Sequence, residues 1–196
     1  MKVPEYAQPD ILRYSLPMQP SEIELRLTTE ADAYIVGNLW PAYVHDIAQY
    51  SGTKPNAHGV LSSDPDCREW PGPGDWWSKP GVLFPYLVLA DRQPAGFLLI
   101  SSGPYLPSQD IDFCVHEFFV AHGFRGKGVA ARAIRLAIAS HPGAWEVVTY
   151  PSAADPIRFW RKTLPTCASA GITETQGEHP WGTKVIWRFQ SGVPLQ

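Results

Sequence analysis

The chain carries little that would tie it to a membrane, a nucleic acid, a metal or an oxidising compartment. No apolar stretch approaches the roughly 18 residues needed to span a bilayer, and the opening MKVPEYAQPD has no apolar signal segment, so neither secretion nor membrane insertion is expected. Lys and Arg number 16 against 19 Asp and Glu, a formal charge of −3, and no run of basic residues compensates locally; a nucleic-acid partner is not expected. Cysteine is sparse. Cys67, Cys114 and Cys167 are odd in number, widely spaced and form no CxxC pair, which argues against a disulfide framework or structural zinc and makes the reducing cytoplasm the simplest location. His45, His58, His122, His141 and His179 show neither helical i, i+4 pairing nor an HExxH pattern, so no metal is expected.

What is present suits one globular domain. With 196 residues, 44% hydrophobic and 18% charged, the chain can bury a real core, while 20 Pro and 16 Gly imply long irregular connections. Residues 1–20 hold four prolines and read as an extended N-terminal arm, leaving 21–196 as a single domain. Ile23, Leu25 and Leu27 alternate with polar residues as in a half-buried strand. Thr29 and Asp32 resemble a capping box opening a helix toward Tyr50, with Pro41 expected to kink or split it. Strands are expected over 83–90 and 95–101 as an antiparallel hairpin, over 111–120, over 145–150 and over 184–189, with one more near Ile172. Helical spacing recurs over 129–140, and a short helix is expected over 155–162. The order β-α-β-β-β-α-β-α-β implies an α/β (α+β) fold with a mixed, mainly antiparallel sheet and helices on both faces.

The stretch 51–80, rich in Pro, Gly and Trp, is too long for a plain connector and is expected to form a lid or pocket wall. Trp70, Trp76, Trp77, Phe84 and Tyr86 crowd that loop and the following hairpin, either lining a ligand pocket, where they could stack on a cation, or packing the loop onto the sheet.

The central feature is a strand, a glycine loop and a helix. In Arg125-Gly126-Lys127-Gly128-Val129-Ala130 the glycines let an anion approach backbone N–H groups at the positive end of a helix. A triphosphate-binding P-loop needs Ser or Thr after its Lys, whereas Lys127 is followed by Gly128. Gly126, Gly128 and Ala131 fit a dinucleotide fingerprint, but that motif wants a βαβ context and an acidic residue ending the next strand, where this chain has Tyr150-Pro151. A third reading is a tight turn that binds nothing.

Arg125 to Ala130, together with His116-Glu117-Phe118-Phe119-Val120 just before it, resembles motif A of the GNAT superfamily of acyl-CoA N-acyltransferases. Phe159-Trp160-Arg161-Lys162 is similar to motif B in a poorly characterised bacterial group that carries EFFV and FWRK. The resemblance implies a V-shaped splay between the two central strands, with acetyl-CoA as co-substrate. Phe118, Phe119, Val120, Arg125, Gly126, Lys127, Gly128, Val129, Ala130, Phe159 and Trp160 would contact it, the pantetheine pairing with main chain near Phe119 and Val120 and the diphosphate taking N–H bonds from Arg125 through Ala130.

It also implies direct acetyl transfer to a primary amine, either a small molecule or a peptide or protein amine, in a ternary complex. Glu117 is the candidate base and His116 its alternate; strict strand alternation would put the two on opposite faces unless a bulge intervenes. An amine of pKa near 10.4 costs about 4.6 kcal/mol to deprotonate at pH 7, so such an acceptor needs the base. Trp160 stands where many members have a proton-donating Tyr, which leaves Tyr150, Ser152 or solvent to protonate the departing thiolate. A catalytically silent acyl-CoA-binding regulator and a nicotinamide-linked oxidoreductase are the rival readings. Aromatic-rich surfaces permit a homodimer.

Overall fold

A computed structural model describes residues 20–62, 64–68 and 74–192. The expected arm, apart from its last residue, and Trp70 lie outside the described residues. In chain order the elements are β1 (Ile23–Leu27), α1 (Ala33–Ser51), β2 (Leu83–Ala90), β3 (Gln93–Ser102), β4 (Phe113–Val120), α2 (Val129–Ser140), β5 (Gly143–Thr149), α3 (Ala154–Thr163), β6 (Thr173–Gly177) and β7 (Lys184–Ser191).

The strands form one sheet in the order β1-β2-β3-β4-β5-β7-β6. Every neighbouring pair is antiparallel except β4 and β5, which are parallel and joined through α2. The glycine loop therefore does open the helix of a βαβ unit, a context the sequence pattern hid because antiparallel strands precede it. No acidic residue ends β5, so the dinucleotide pattern still lacks its ribose partner.

Helices cover both faces. Val36 and Tyr43 of α1 pack on one side against Leu87, Leu89, Phe97, Leu99 and Phe119. On the other, Ile134, Ala137 and Ile138 of α2 and Trp160 of α3 meet Leu98, Ile100, Val115, Trp145 and Val147. Double coverage explains why β2 and β3 read as nearly unbroken apolar runs instead of alternating. Pro41 does not split α1, which continues to Ser51. A proline inside a helix costs about 3 kcal/mol, and the apolar face carrying Val36 and Tyr43 offsets that cost through burial. Among the described residues of 51–80, Asn56 organises the chain: its carbonyl accepts from the N–H of His58 and Val60, and its amide donates to Asp64 O and Cys67 O.

Candidate active site

β4 is hydrogen-bonded to β5 only over Phe113, Cys114 and Val115, facing Trp145, Glu146 and Val147. Beyond those pairs β4 stays zipped to β3 as far as Val120, and β5 stays zipped to β7. The two central strands thus part company at residue 116, producing the V-shaped opening in the sheet. The cause is local. Ile100 pairs with Val115 and Leu99 with Glu117, so His116 is an extra residue, a bulge that increases twist and bends β4 away.

The bulge also suspends side-chain alternation. His116 lies 5.1 Å from the Trp76 ring and 4.4 Å from the Trp181 ring, while Glu117 accepts a hydrogen bond from the Tyr43 hydroxyl of α1. His116 and Glu117 consequently face the same side, with His116 Nδ1 3.8 Å from Glu117 Oε1. Desolvation pushes the Glu117 carboxyl up to about 8 and the His116 imidazole down to about 4. Near neutral pH the imidazole is uncharged, its buried Nδ1 has no hydrogen-bond partner among the described residues, and the carboxyl is largely protonated. Tyr150, at the end of β5, has its phenol raised by burial and then by the Glu117 charge, which places the two groups within electrostatic reach of each other.

At the other end of β4, Gly126 and Gly128 both adopt positive φ, 73° and 79°, where a side chain would be strained. Among the described residues, no acceptor meets hydrogen-bond geometry for the N–H groups of Gly126, Lys127, Gly128, Val129 or Ala130, and they cluster at the α2 N-terminus. That is the donor set an anionic diphosphate needs. The Arg125 N–H is different: it already bonds His122 O. Its guanidinium is a clamp, with Nε donating to Val120 O at 2.6 Å, Nη2 paired with Asp46 of α1, and the charge 5.6 Å from the Phe119 ring centre. Lys127 Nζ donates to Gly123 O at 2.6 Å.

The remaining expected residues separate by face. The side chains of Phe119 and Val120 are core, 4% and 6% exposed, which leaves only their main chain for a ligand, and Val120 O is already taken by Arg125. Phe118 points to the α2–α3 side, 6.0 Å from both Phe159 and Trp160, and Trp160 is itself buried in that core. Phe84 and Tyr86 do not join the tryptophans of the long loop. They lie on the opposite face, where Phe84 packs 4.5 Å from His141 and the Tyr86 hydroxyl bonds His141 Nε2, because their register in β2 points them that way. Trp77 donates its indole N–H to Thr28 Oγ1, and Trp76 alone of the described loop aromatics reaches the bulge.

Tyr43, Asp46, Trp181 and Lys184 were not anticipated. The first two sit at ordinary helical positions of α1, and the last two lie in or beside a Gly-containing turn; nothing local in the sequence marks any of them. An open groove of about 740 Å³ between α3 and β6, with Arg161 and Glu174 in its wall, contains none of His116, Glu117 or residues 126–130. Among the described residues there is no cluster of three metal-ligating side chains, and no helix is long and apolar enough to cross a membrane.

The chain has the fold of the GNAT acetyltransferases. Solved structures support this at low sequence identity. Aminoglycoside acetyltransferase AAC(6')-Ib in complex with coenzyme A superposes with a TM-score of 0.58 at 17% identity, covering 86% of this chain and 95% of that one. Ribosomal-protein-S5-alanine acetyltransferase from Vibrio fischeri gives 0.55 at 14%, covering 89% and 96%. A GNAT-family protein from Desulfovibrio desulfuricans gives 0.53 at 12%, covering 86% and 99%. No protein-family model and no curated protein sequence matches the chain.

Proposed function

We propose that the protein transfers an acetyl group from acetyl-CoA to a primary amine by direct attack within a ternary complex. The observation that carries the reading is the juxtaposition of a carboxylate next to the β4 bulge, at the mouth of the splay, and a set of N–H groups at the α2 N-terminus that meet no acceptor among the described residues. Resemblance in fold to acetyltransferases, one of them bound to coenzyme A, supports it.

In this reading the N–H groups of Gly126 through Ala130 hold the diphosphate, and Arg125 contributes by fixing the loop to β4 and α1. Bound acetyl-CoA supplies an acyl group activated as a thioester. Glu117, with Tyr43 donating to one carboxylate oxygen, takes the proton from the acceptor ammonium directly or through water. Its elevated pKa suits it to that role, because a base near 8 can accept the proton without the penalty an ordinary carboxylate would impose. His116, neutral across the working range, walls the site as an alternate proton acceptor. As the new C–N bond forms and the C–S bond breaks, Tyr150 gives a proton to the departing sulfur; burial keeps its phenol protonated beforehand. The acceptor class spans small amines and peptide or protein amines, and a cytoplasmic site of action suits a soluble coenzyme.

Thermal unfolding with acetyl-CoA, CoA and NAD(P), followed by thiol release across an amine panel, tests the reading. At about 100-fold excess over Kd a ligand selective for the native state adds about 2.7 kcal/mol, a rise of roughly 5–10 °C for a domain this size. Acetyl-CoA and CoA should both give it and NAD(P) should not. Coenzyme binding with no thiol release from any amine would point to the silent regulator, and an NAD(P)-only shift to the oxidoreductase.

A further inference from the structure

Lys184 begins β7 on the α1 face of the sheet. Thr149 pairs with Val185, so Tyr150 and Lys184 stand side by side one step further along, and the ammonium lies 3.9 Å from the centre of the Tyr150 ring. Only 6% of the residue is exposed. Nζ donates to Trp181 O at 2.5 Å, yet among the described residues no carboxylate lies within ion-pairing distance of it.

The carboxylates of this face and its covering turn are engaged elsewhere. Glu146 is fully buried and bonded to Ser108, His179 and Arg188; Glu117 is bonded to Tyr43; Glu178 accepts from Thr183. A nearly buried ammonium braced by one carbonyl and a ring face keeps unused donors and carries a desolvation cost that no counter-ion offsets. Its surroundings are those of the proposed reaction. Trp181, whose carbonyl it holds, packs its ring 4.4 Å from that of His116, and Tyr150, whose ring it covers, lies within electrostatic reach of Glu117. The α2 N-terminus packs on the opposite face, so the diphosphate cradle and Lys184 serve different anions.

We propose that Lys184 anchors a carboxylate on the acceptor, so that the substrates are amines that also carry a carboxylate, amino acids among them, held with the amine toward Glu117 and flanked by Trp76 and Trp181. The assignment rests on the acetyl-transfer reading. Local charge agrees with it: with Glu117 largely protonated at neutral pH, Lys184 leaves this space net positive, which disfavours polycationic amines and favours a zwitterion.

The test compares matched pairs, phenylalanine with phenethylamine, tryptophan with tryptamine and histidine with histamine, by calorimetry on the full chain with and without CoA, and by thiol release with acetyl-CoA. In at least one pair the carboxylate-bearing member should bind at least tenfold tighter, with the gap expressed in KM. Lys184→Met should erase the gap and Lys184→Arg should retain most of it, each variant checked for an unchanged thermal midpoint. Equal binding within every pair in the wild type, or a gap that persists in folded Lys184→Met, overturns the assignment, and the wild-type comparison stands even if the variants do not fold. Absence of acetyl-CoA binding would instead sink the transfer reading. In that case the titrations without CoA still decide on Lys184: a Lys184-dependent preference for the carboxylate member upholds the anchor, and no preference removes it.

Discussion

Replacing Glu117 by Gln should make the protein more stable in alkali while nearly abolishing its activity, because the same desolvation that suits the carboxyl to proton transfer works against folding. The folded carboxyl titrates at about 8 and the free side chain at 4.5. Between those values the unfolded chain has released a proton that the folded chain retains, so stability falls as pH rises from 4.5 to 8. At about 1.36 kcal/mol per unit the full interval amounts to roughly 4–5 kcal/mol, of which about 4 falls between pH 5 and pH 8. Glutamine has no such titration and can still accept the Tyr43 hydrogen bond through its carbonyl. Glu117→Gln should therefore match the wild type near pH 5 and exceed it by a margin that grows to a few kcal/mol at pH 8, measured by urea unfolding across that range. Acetyl transfer should fall by about 10² to 10⁴, the usual contribution of a positioned base. The wild-type kcat/KM profile should show an inflection near 8 that the variant lacks, with an acceptor chosen so that its own pKa lies well away. A variant that keeps full activity, or a stability difference that stays flat with pH, would refute the argument that a desolvated carboxylate at the bulge is the base.

Three further outcomes follow from the same geometry. Tyr43→Phe removes the hydroxyl that favours the ionised carboxylate, so the activity inflection should move up by about one unit, with kcat/KM at pH 7 falling several-fold; titrating the rate profile checks it. Gly126→Ala forces a side chain into a left-handed backbone conformation that costs about 1–2 kcal/mol and turns the N–H groups aside, and calorimetry should show acetyl-CoA binding weakened about tenfold with secondary structure intact. His116 is held neutral down to about 4 against an ordinary 6.5, so its contribution to stability is complete above 6.5 and is lost as pH falls toward 4; roughly 3 kcal/mol of acid sensitivity should disappear in His116→Asn, read from unfolding between pH 4 and 7.

Periodicity and punctuation in the sequence were enough to find the strands and helices within a residue or three. Ala, Ile and Leu at helical spacing bounded α2 at Val129 and Ser140, and the turn read over 91–94 located the β2–β3 hairpin, whose second strand begins two residues earlier than expected, at Gln93, because these signals depend only on neighbouring residues. The glycine loop was legible for the same reason, since φ values of 73° and 79° demand Gly wherever the rest of the chain goes.

Local pattern determined the elements, their order and the glycine turn before α2. It could not decide which side chains meet. That His116 and Glu117 share a face depends on an extra residue in the β3–β4 register, a property of two strands, and their partners Tyr43 and Trp181 arrive from α1 and from the β6–β7 turn, 74 residues before Glu117 in the first case. Proton affinity is likewise decided only in the folded chain, because desolvation is set by everything packed around a group, and the sequence around Glu117 gives no account of what α1 and the β6–β7 turn will bring to it.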